Sequence, residues 1–186
     1  FGNIIYMAYN VKNYSTLANL TNTIQDKLIT TNGVPGFISV DQEGGNVARL
    51  VNGATHFIGA MAMGATGNED NTYELGKAMG EELYNYGIRV DFTPVLDVND
   101  NPDNPVIGIR SYGDKPMQVA LFGNNMTKGL AKSNIIGCAK HFPGHGNTTV
   151  DSHSGLPVIT STKEALYKIE LAPFMSAIAS GIDAIM

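Results

Sequence analysis

Short apolar segments of strand length alternate regularly with longer segments of helical periodicity, and this alternation is the strongest constraint on the fold. The strand-length segments are residues 4–8, 36–40, 90–96, 135–139 and 183–186. The helical segments between them are residues 14–29, 73–86, 117–130 and 163–178. Most of the apolar segments are nearly continuous rather than alternating, which is typical of parallel strands covered on both faces. The order predicts a parallel α/β fold with right-handed crossovers.

Two parallel architectures fit this order: a doubly wound sheet and a (β/α)8 barrel. A doubly wound nucleotide site needs a glycine-rich first turn, but residues 9–13 here read Tyr-Asn-Val-Lys-Asn. Polar residues gather instead after later strands, in residues 41–45, 97–110 and 140–153. Barrel enzymes build their active sites from loops at this end of the strands. The pattern therefore favours a (β/α)8 TIM barrel.

The length indicates one domain, but a complete barrel has about 250 residues. Residues 1–186 would supply about four βα units and part of a fifth strand. We expect a single partial barrel domain, incomplete at both ends, because the sequence begins at Phe1 and stops inside an apolar segment. Since no targeting segment is recognisable, the location is left open between the cytoplasm and secretion.

Charge and cysteine content exclude several classes of protein. The net charge is −5 and no basic cluster is present, so we expect no binding to nucleic acid. No apolar run approaches the roughly 20 residues that a membrane span needs. Cys138 is the single cysteine, which excludes an internal disulfide framework and a multi-cysteine zinc site.

The loops after the second and third predicted strands carry candidate ligand-binding residues. Asp41 follows the second strand directly, and a carboxylate there can accept hydrogen bonds from vicinal sugar hydroxyls. Arg49 can donate to a ligand oxygen, although a turn with a solvated acidic patch is the alternative. Residues 97–105 alternate Asp and Asn without the EF-hand order, which predicts a rigid hydrogen-bonded loop rather than a calcium site. Arg110 is a lone cation among small and apolar residues, and is the better functional candidate.

The loop after the fourth strand contains three of the four histidines. Asp151 and His153 lie two residues apart, so in an extended segment the carboxylate can bond one ring nitrogen of the histidine. Such a pair fixes the tautomer and favours the protonated imidazole, which predicts that His153 serves as a general acid. A simple turn is the structural alternative.

A metal site is a competing interpretation of the same loop. Its possible ligands are His141, His145, Asp151 and His153. Pro143 and Gly144 interrupt the segment between the first two histidines, so these cannot be two ligands on one helical face. We therefore predict no metal and no cofactor.

Three segments together resemble the β-N-acetylhexosaminidase branch of glycoside hydrolase family 3. They are residues 40–50, residues 97–113, and Lys-His-Phe-Pro-Gly-His-Gly at 140–146 with Asp-Ser-His at 151–153. The resemblance implies a barrel and a retaining double displacement on terminal β-linked N-acetylglucosamine, from cell-wall saccharides (peptidoglycan recycling) or chitin-derived ones. It also implies residue roles. His153 would be the acid/base, oriented by Asp151, and the sugar would be held by Asp41, Arg49, Arg110, Lys140 and His141.

The resemblance places the nucleophile, an aspartate, on a later strand. Asp183 is not its counterpart because it precedes the fifth predicted strand, so the nucleophile is expected outside this chain. Two other functions stay open: a non-catalytic sugar-binding barrel or inactive fragment, and a metal-dependent barrel hydrolase. A carbohydrate containing N-acetylglucosamine is the expected partner of both the glycosidase and the sugar-binding barrel.

Overall fold

The structure is a computed structural model that describes residues 2–186, and it consists of seven strands and six α-helices within that range. The strands are β1 (Ile4–Tyr6), β2 (Ile38–Val40), β3 (Gln42–Gly44), β4 (Val47–Ala48), β5 (Val90–Asp91), β6 (Ile136–Ala139) and β7 (Ala184–Ile185). The helices are α1 (Tyr14–Asn32), α2 (Ala60–Gly64), α3 (Asp70–Asn85), α4 (Pro116–Lys132), α5 (Lys163–Lys168) and α6 (Leu171–Ala179).

The main sheet is parallel, with the order β1-β2-β5-β6-β7. Each strand pairs with the next one along the chain, apart from the small antiparallel hairpin β3–β4 that follows β2. A doubly wound sheet reverses its strand order at one point, whereas a barrel does not. The sequential order confirms the barrel class of α/β fold. Within residues 2–186 the sheet is open, and β1 and β7 form its edges.

The helices pack on the sheet through an apolar core. Residues from β2, α1, α3 and α4 meet there, including Leu17, Ile38, Val40, Met79, Leu83, Met126 and Leu130. Burying each such side chain contributes roughly 1.5–3 kcal/mol. Glycines set the distance between α3 and α4, because a side chain at Gly129 would collide with the carbonyl oxygen of Tyr73. Asn13 begins α1 by accepting a hydrogen bond from the Thr16 N–H at 3.0 Å.

Two predicted elements differ from the structure for reasons that involve proline. Of the predicted strand 90–96, only Val90 and Asp91 form a regular strand, β5, and Val95 adds a single bridge to Lys140. Pro94 lies between β5 and this bridge and has no N–H to donate to a neighbouring strand. The predicted helix 163–178 is divided into α5 and α6, because Pro173 would clash with the carbonyl of Ile169 in a continuous helix.

Hairpin β3–β4 and helix α2 were not predicted, since both are too short to show periodicity. Among the helices of residues 2–186, none combines the length and the apolar character that a bilayer span requires.

Candidate active site

The polar side chains of the candidate site project from the carboxyl ends of the parallel strands. Asp41 and Glu43 follow β2, and Lys140 and His141 follow β6. Asp97 lies between them, after the short bridge that extends β5. Parallel strands bring such residues to one edge of the sheet, which is where barrel enzymes bind substrate.

Lys140 forms the centre of this cluster although it is only 2 % exposed. Its Nζ donates to Asp41 Oδ1 and to Glu43 Oε1, at 2.7 Å in each case. Arg49 approaches the other oxygen of Asp41, with an Nη2–Oδ2 distance of 3.7 Å. The structure therefore brings together Asp41, Arg49 and Lys140, three of the residues that the sequence singles out.

Glu43 joins Lys140 to Arg110. Arg110 donates to both of its carboxylate oxygens, from Nε at 2.9 Å and from Nη2 at 2.7 Å. Burial raises the pKa of Glu43, but the hydrogen bonds and charges of Arg110 and Lys140 outweigh burial and lower it below its ordinary value. Glu43 lies within the segment 40–50 that carries the family resemblance, but no role was predicted for it.

Asp97 orients His141, and no role for it was predicted beyond its place in the loop 97–105. It is fully buried, and its Oδ2 lies 2.6 Å from His141 Nδ1. Oδ1 accepts the backbone N–H of His145 at 2.6 Å. On the other side of the ring, His141 Nε2 lies 3.2 Å from Arg110 Nη2, which is a donor only. These contacts select the His141 tautomer that carries its proton on Nδ1 and accepts at Nε2.

Asp91 lies beneath this network and is fully buried. Its Oδ1 accepts the Gln42 N–H at 2.9 Å, while Oδ2 is buried without a hydrogen-bond partner. Burial raises the pKa of Asp91 well above its ordinary value. The Gln42 hydrogen bond and the Lys140 charge oppose burial in part, and the neighbouring carboxylates add to it.

Asp151 and His153 contact each other, as predicted. Asp151 Oδ1 lies 2.6 Å from His153 Nδ1 and also accepts the His153 backbone N–H at 2.9 Å. These two hydrogen bonds lower the pKa of Asp151. The His153 side chain is 81 % exposed. Within residues 2–186, this pair forms no hydrogen bond or ion pair with the Lys140 network.

The Asp- and Asn-rich segment 97–105 is the hydrogen-bonded loop that its composition predicts. The Asn104 amide donates to the backbone carbonyls of His145, Gly146 and Thr148, at 2.8, 3.1 and 2.9 Å. Gly146 lies so close to Val98 that a Cβ would overlap the Val98 carbonyl oxygen. The segment thus fixes the loop that carries Lys140 and His141.

Two of the histidines considered as possible metal ligands form other contacts. His141 bonds Asp97, and His145 Nδ1 bonds the hydroxyl of Thr148. In the described part of the chain, no three His, Cys, Asp or Glu side chains are arranged to hold a metal ion.

A cavity of about 370 Å³ opens beside Glu43 and Arg110. Its other walls come from the end of β3 and the turn after it, from α2 and its flanking residues, and from Ile109; apart from Asn46, these residues are small or apolar. The ion-paired network therefore lies beside space that a small ligand can occupy.

Known proteins similar to this chain are glycosidases. The chain is 40% identical to beta-hexosaminidase A of Pseudoalteromonas piscicida over 95% of its own length and 30% of that protein. It is similar in structure to a glycoside hydrolase family 3 beta-N-acetylglucosaminidase from Paenibacillus sp. str. FPU-7, with a TM-score of 0.97 and 45% identity, covering 100% of this chain and 35% of that one. NagZ from Neisseria gonorrhoeae, in complex with N-trifluoroacetyl-D-glucosamine, gives a TM-score of 0.93 and 34% identity, with 100% of this chain and 56% of NagZ covered.

The chain thus spans between about a third and about a half of these relatives. The family model described as "Glycosyl hydrolase family 3 N terminal domain" matches residues 1–186. Together with the sequential parallel sheet, this match shows that the chain belongs to glycosyl hydrolase family 3.

Proposed function

We propose that the intact enzyme is a retaining β-N-acetylhexosaminidase that removes terminal β-linked N-acetylglucosamine from cell-wall- or chitin-derived saccharides. The relatives named as beta-hexosaminidase and beta-N-acetylglucosaminidase support this substrate class. The observation that carries the proposal is the hydrogen bond between Asp151 and His153, because it leaves Nε2 of an exposed imidazole to exchange protons with substrate.

The ion-paired network would hold the sugar. Asp41 is an acceptor for ring hydroxyls, and Arg49, Arg110 and Lys140 are donors. His141 is placed at the edge of the same network by Asp97. Because Lys140, Glu43 and Asp97 are buried and paired before any ligand binds, little reorganisation is needed when the sugar enters.

His153 would act as the acid/base in both steps of a double displacement. In the first step, the nucleophilic carboxylate attacks the anomeric carbon while His153 Nε2 gives its proton to the departing oxygen. In the second step, the neutral imidazole takes a proton from water, which attacks the same carbon and releases the sugar. Asp151 would hold the ring through Nδ1. The nucleophile would be an aspartate on a strand later than β7, as the family resemblance implies.

Substitution of His153 by Ala in the intact enzyme tests the acid role. A poor leaving group needs its proton early, whereas an activated aryl leaving group departs with little assistance. General-acid catalysis contributes about 10²–10⁴-fold, so we expect a loss of this size in single-turnover glycosylation of an unactivated glycoside. The loss with an activated aryl glycoside should be at least tenfold smaller. Equal losses on both substrates contradict the assignment.

His56 offers a matched control, since it is an exposed histidine in a different loop. His56→Ala should leave both rates within twofold of the wild-type values. If His56→Ala lowers the rates as much as His153→Ala, the effect is not catalytic.

Sugar binding without hydrolysis is the second candidate function. It is favoured by one observation, namely that the Lys140 network is complete without contact to Asp151 or His153. Calorimetry with N-acetylglucosamine, run beside a turnover assay on the intact protein, separates the two functions. Binding without turnover by the wild-type protein would favour the second.

A further inference from the structure

Asp91 is a buried carboxyl that the proposed reaction does not use. It ends β5 and has 0 % exposure. Among residues 2–186 no cation forms an ion pair with it. The charge of Lys140 acts on Asp91, but the short contacts of Lys140 Nζ are made to Asp41 and Glu43, at 2.7 Å each. A buried carboxylate without a paired cation is costly, so its placement calls for a function.

The position of Asp91 in the sheet explains what it holds. Val40 lies opposite Asp91 in the parallel register of β2 and β5, and the Phe92 N–H donates to the Val40 carbonyl at 2.9 Å. After Val40 the chain leaves the main sheet, so the N–H of Gln42 faces no backbone carbonyl of β5. Asp91 Oδ1 accepts that N–H at 2.9 Å, and the side chain thereby extends the ladder by one hydrogen bond.

We propose that Asp91 is a positioning residue that acts as an uncharged carboxylic acid. By holding the backbone of Gln42, it fixes the two flanking residues, Asp41 and Glu43, at the distance from Lys140 that forms the sugar-binding network. The claim that this affects catalysis rests on the proposed function. The claim that Asp91 is uncharged and fixes the turn does not.

The charge inventory of the site supports the uncharged form. Without Asp91, the site contains three carboxylates and three cations, so its charges already balance. The carboxylates are those of Asp41, Glu43 and Asp97, and the cations are Arg49, Arg110 and Lys140. Burial and the carboxylates of Asp41 and Glu43 raise the pKa of Asp91. The Gln42 N–H and the charge of Lys140 lower this pKa, but by less. The other titratable groups close enough to feel its charge are Tyr112 and Cys138, whose own pKa values burial raises.

Asp91→Asn and Asp91→Val separate the neutral acid from its alternatives, with Asp114→Asn on an exposed aspartate as the control. Asparagine keeps the acceptor for Gln42 and carries no charge, whereas valine removes the acceptor. The first measurement is infrared absorption of the intact enzyme in D₂O at neutral pD. The wild-type minus Asp91→Asn spectrum should contain the carbonyl band of a protonated carboxylic acid, and the spectrum for Asp114→Asn should not. Absence of this band for Asp91 overturns the proposal.

The second measurement is stability against pH. A carboxyl that stays protonated in the folded state but ionises on unfolding makes the protein less stable as the pH rises above about 4. The melting temperature of Asp91→Asn should therefore rise relative to wild type between pH 4 and pH 7. A difference that is constant with pH, or that falls, overturns the proposal. Neither measurement needs activity, so both still decide the question if the proposed function fails.

The third measurement is steady-state kinetics on an N-acetylglucosaminide. Asp91→Val should raise KM at least tenfold with a smaller effect on kcat, because it displaces binding groups, and Asp91→Asn should recover most of that loss. An Asn variant as impaired as the Val variant would mean that the negative charge itself is required, which contradicts the proposal. If the Val variant does not fold, the infrared and stability results on Asp91→Asn still test it.

Discussion

Replacement of Lys140 by Met tests whether the buried ion pairs hold the site together. The side chains are of similar length, so the main change is loss of the ammonium group that bridges Asp41 and Glu43 at 2.7 Å. The carboxylates of Asp41 and Glu43 then lose the cation between them. Because Glu43 is only 7 % exposed, water cannot replace that cation effectively. Removing one partner of a buried ion pair costs about 3–5 kcal/mol, and we expect the free energy of unfolding to fall by that amount at pH 7.

The deficit of Lys140→Met should depend on pH. The pKa of Glu43 is lowered in the folded protein, so this residue contributes stability above its unfolded pKa of about 4.3 that is lost as the pH falls through the folded value. Without Lys140, burial is opposed by Arg110 alone and the pKa of Glu43 rises. The variant can then relieve its unpaired charge by binding a proton. Its deficit should therefore be smaller at pH 4.5 than at pH 7.

Urea denaturation of the intact enzyme, followed by circular dichroism at both pH values, measures these quantities. Lys77→Met is the matched control, because Lys77 is 40 % exposed and its partner Glu81 lies 4.0 Å away on the same helix. Its loss should be below about 0.5 kcal/mol. A stability loss in Lys140→Met no larger than that in Lys77→Met, or a loss that is the same at pH 4.5 as at pH 7, would refute a stabilising role for the buried ion pairs.

Two further substitutions test the geometry around this network. Arg110→Lys cannot keep both hydrogen bonds to Glu43. Loss of one charge-assisted hydrogen bond should lower the free energy of unfolding by about 1.5–3 kcal/mol in the same assay. An unchanged free energy would contradict the two-point contact between Arg110 and Glu43. Gly146→Ala should destabilise the protein by about 1–3 kcal/mol and reduce turnover, because its Cβ overlaps the Val98 carbonyl. Gly59→Ala is its control, since φ is −80° there and the nearest atom to a Cβ lies at 3.4 Å, so equal losses in the two variants would refute the steric argument.

The fold could be predicted from the sequence because its pattern is repeated. A strand covered on both faces must be apolar throughout, and this signal marks β1, β2, β5, β6 and β7. The first and last residues of each strand were less predictable. The length over which two strands pair depends on the sequences of both strands, and these are far apart along the chain. Pro94 and Pro173 were visible in the sequence, and the break of the fourth helix could have been predicted from the clash that Pro173 causes.

Apart from the contact between Asp151 and His153, the site was predicted as a set of single residues and not as a set of pairs. Glu43 and Arg110 are 67 positions apart, and Asp97 and His141 are 44 apart, so only the folded sheet shows that they meet. One signal was available nevertheless. The loops contain Arg49, Arg110 and Lys140, and cations that are to be buried require acidic partners, which Asp41 alone could not supply.

Of the two histidines with assigned roles, the surroundings suit His153 to proton transfer and His141 to holding the sugar. Both histidines have a carboxylate on Nδ1, Asp97 for His141 and Asp151 for His153. They differ at Nε2. His141 Nε2 lies 3.2 Å from Arg110 Nη2 and is occupied as an acceptor. His153 Nε2 has no hydrogen-bond partner within residues 2–186, and the side chain is 81 % exposed. A group that passes a proton to and from a ligand needs a free ring nitrogen, which is the physical reason why we propose the acid/base role for His153 and a binding role for His141.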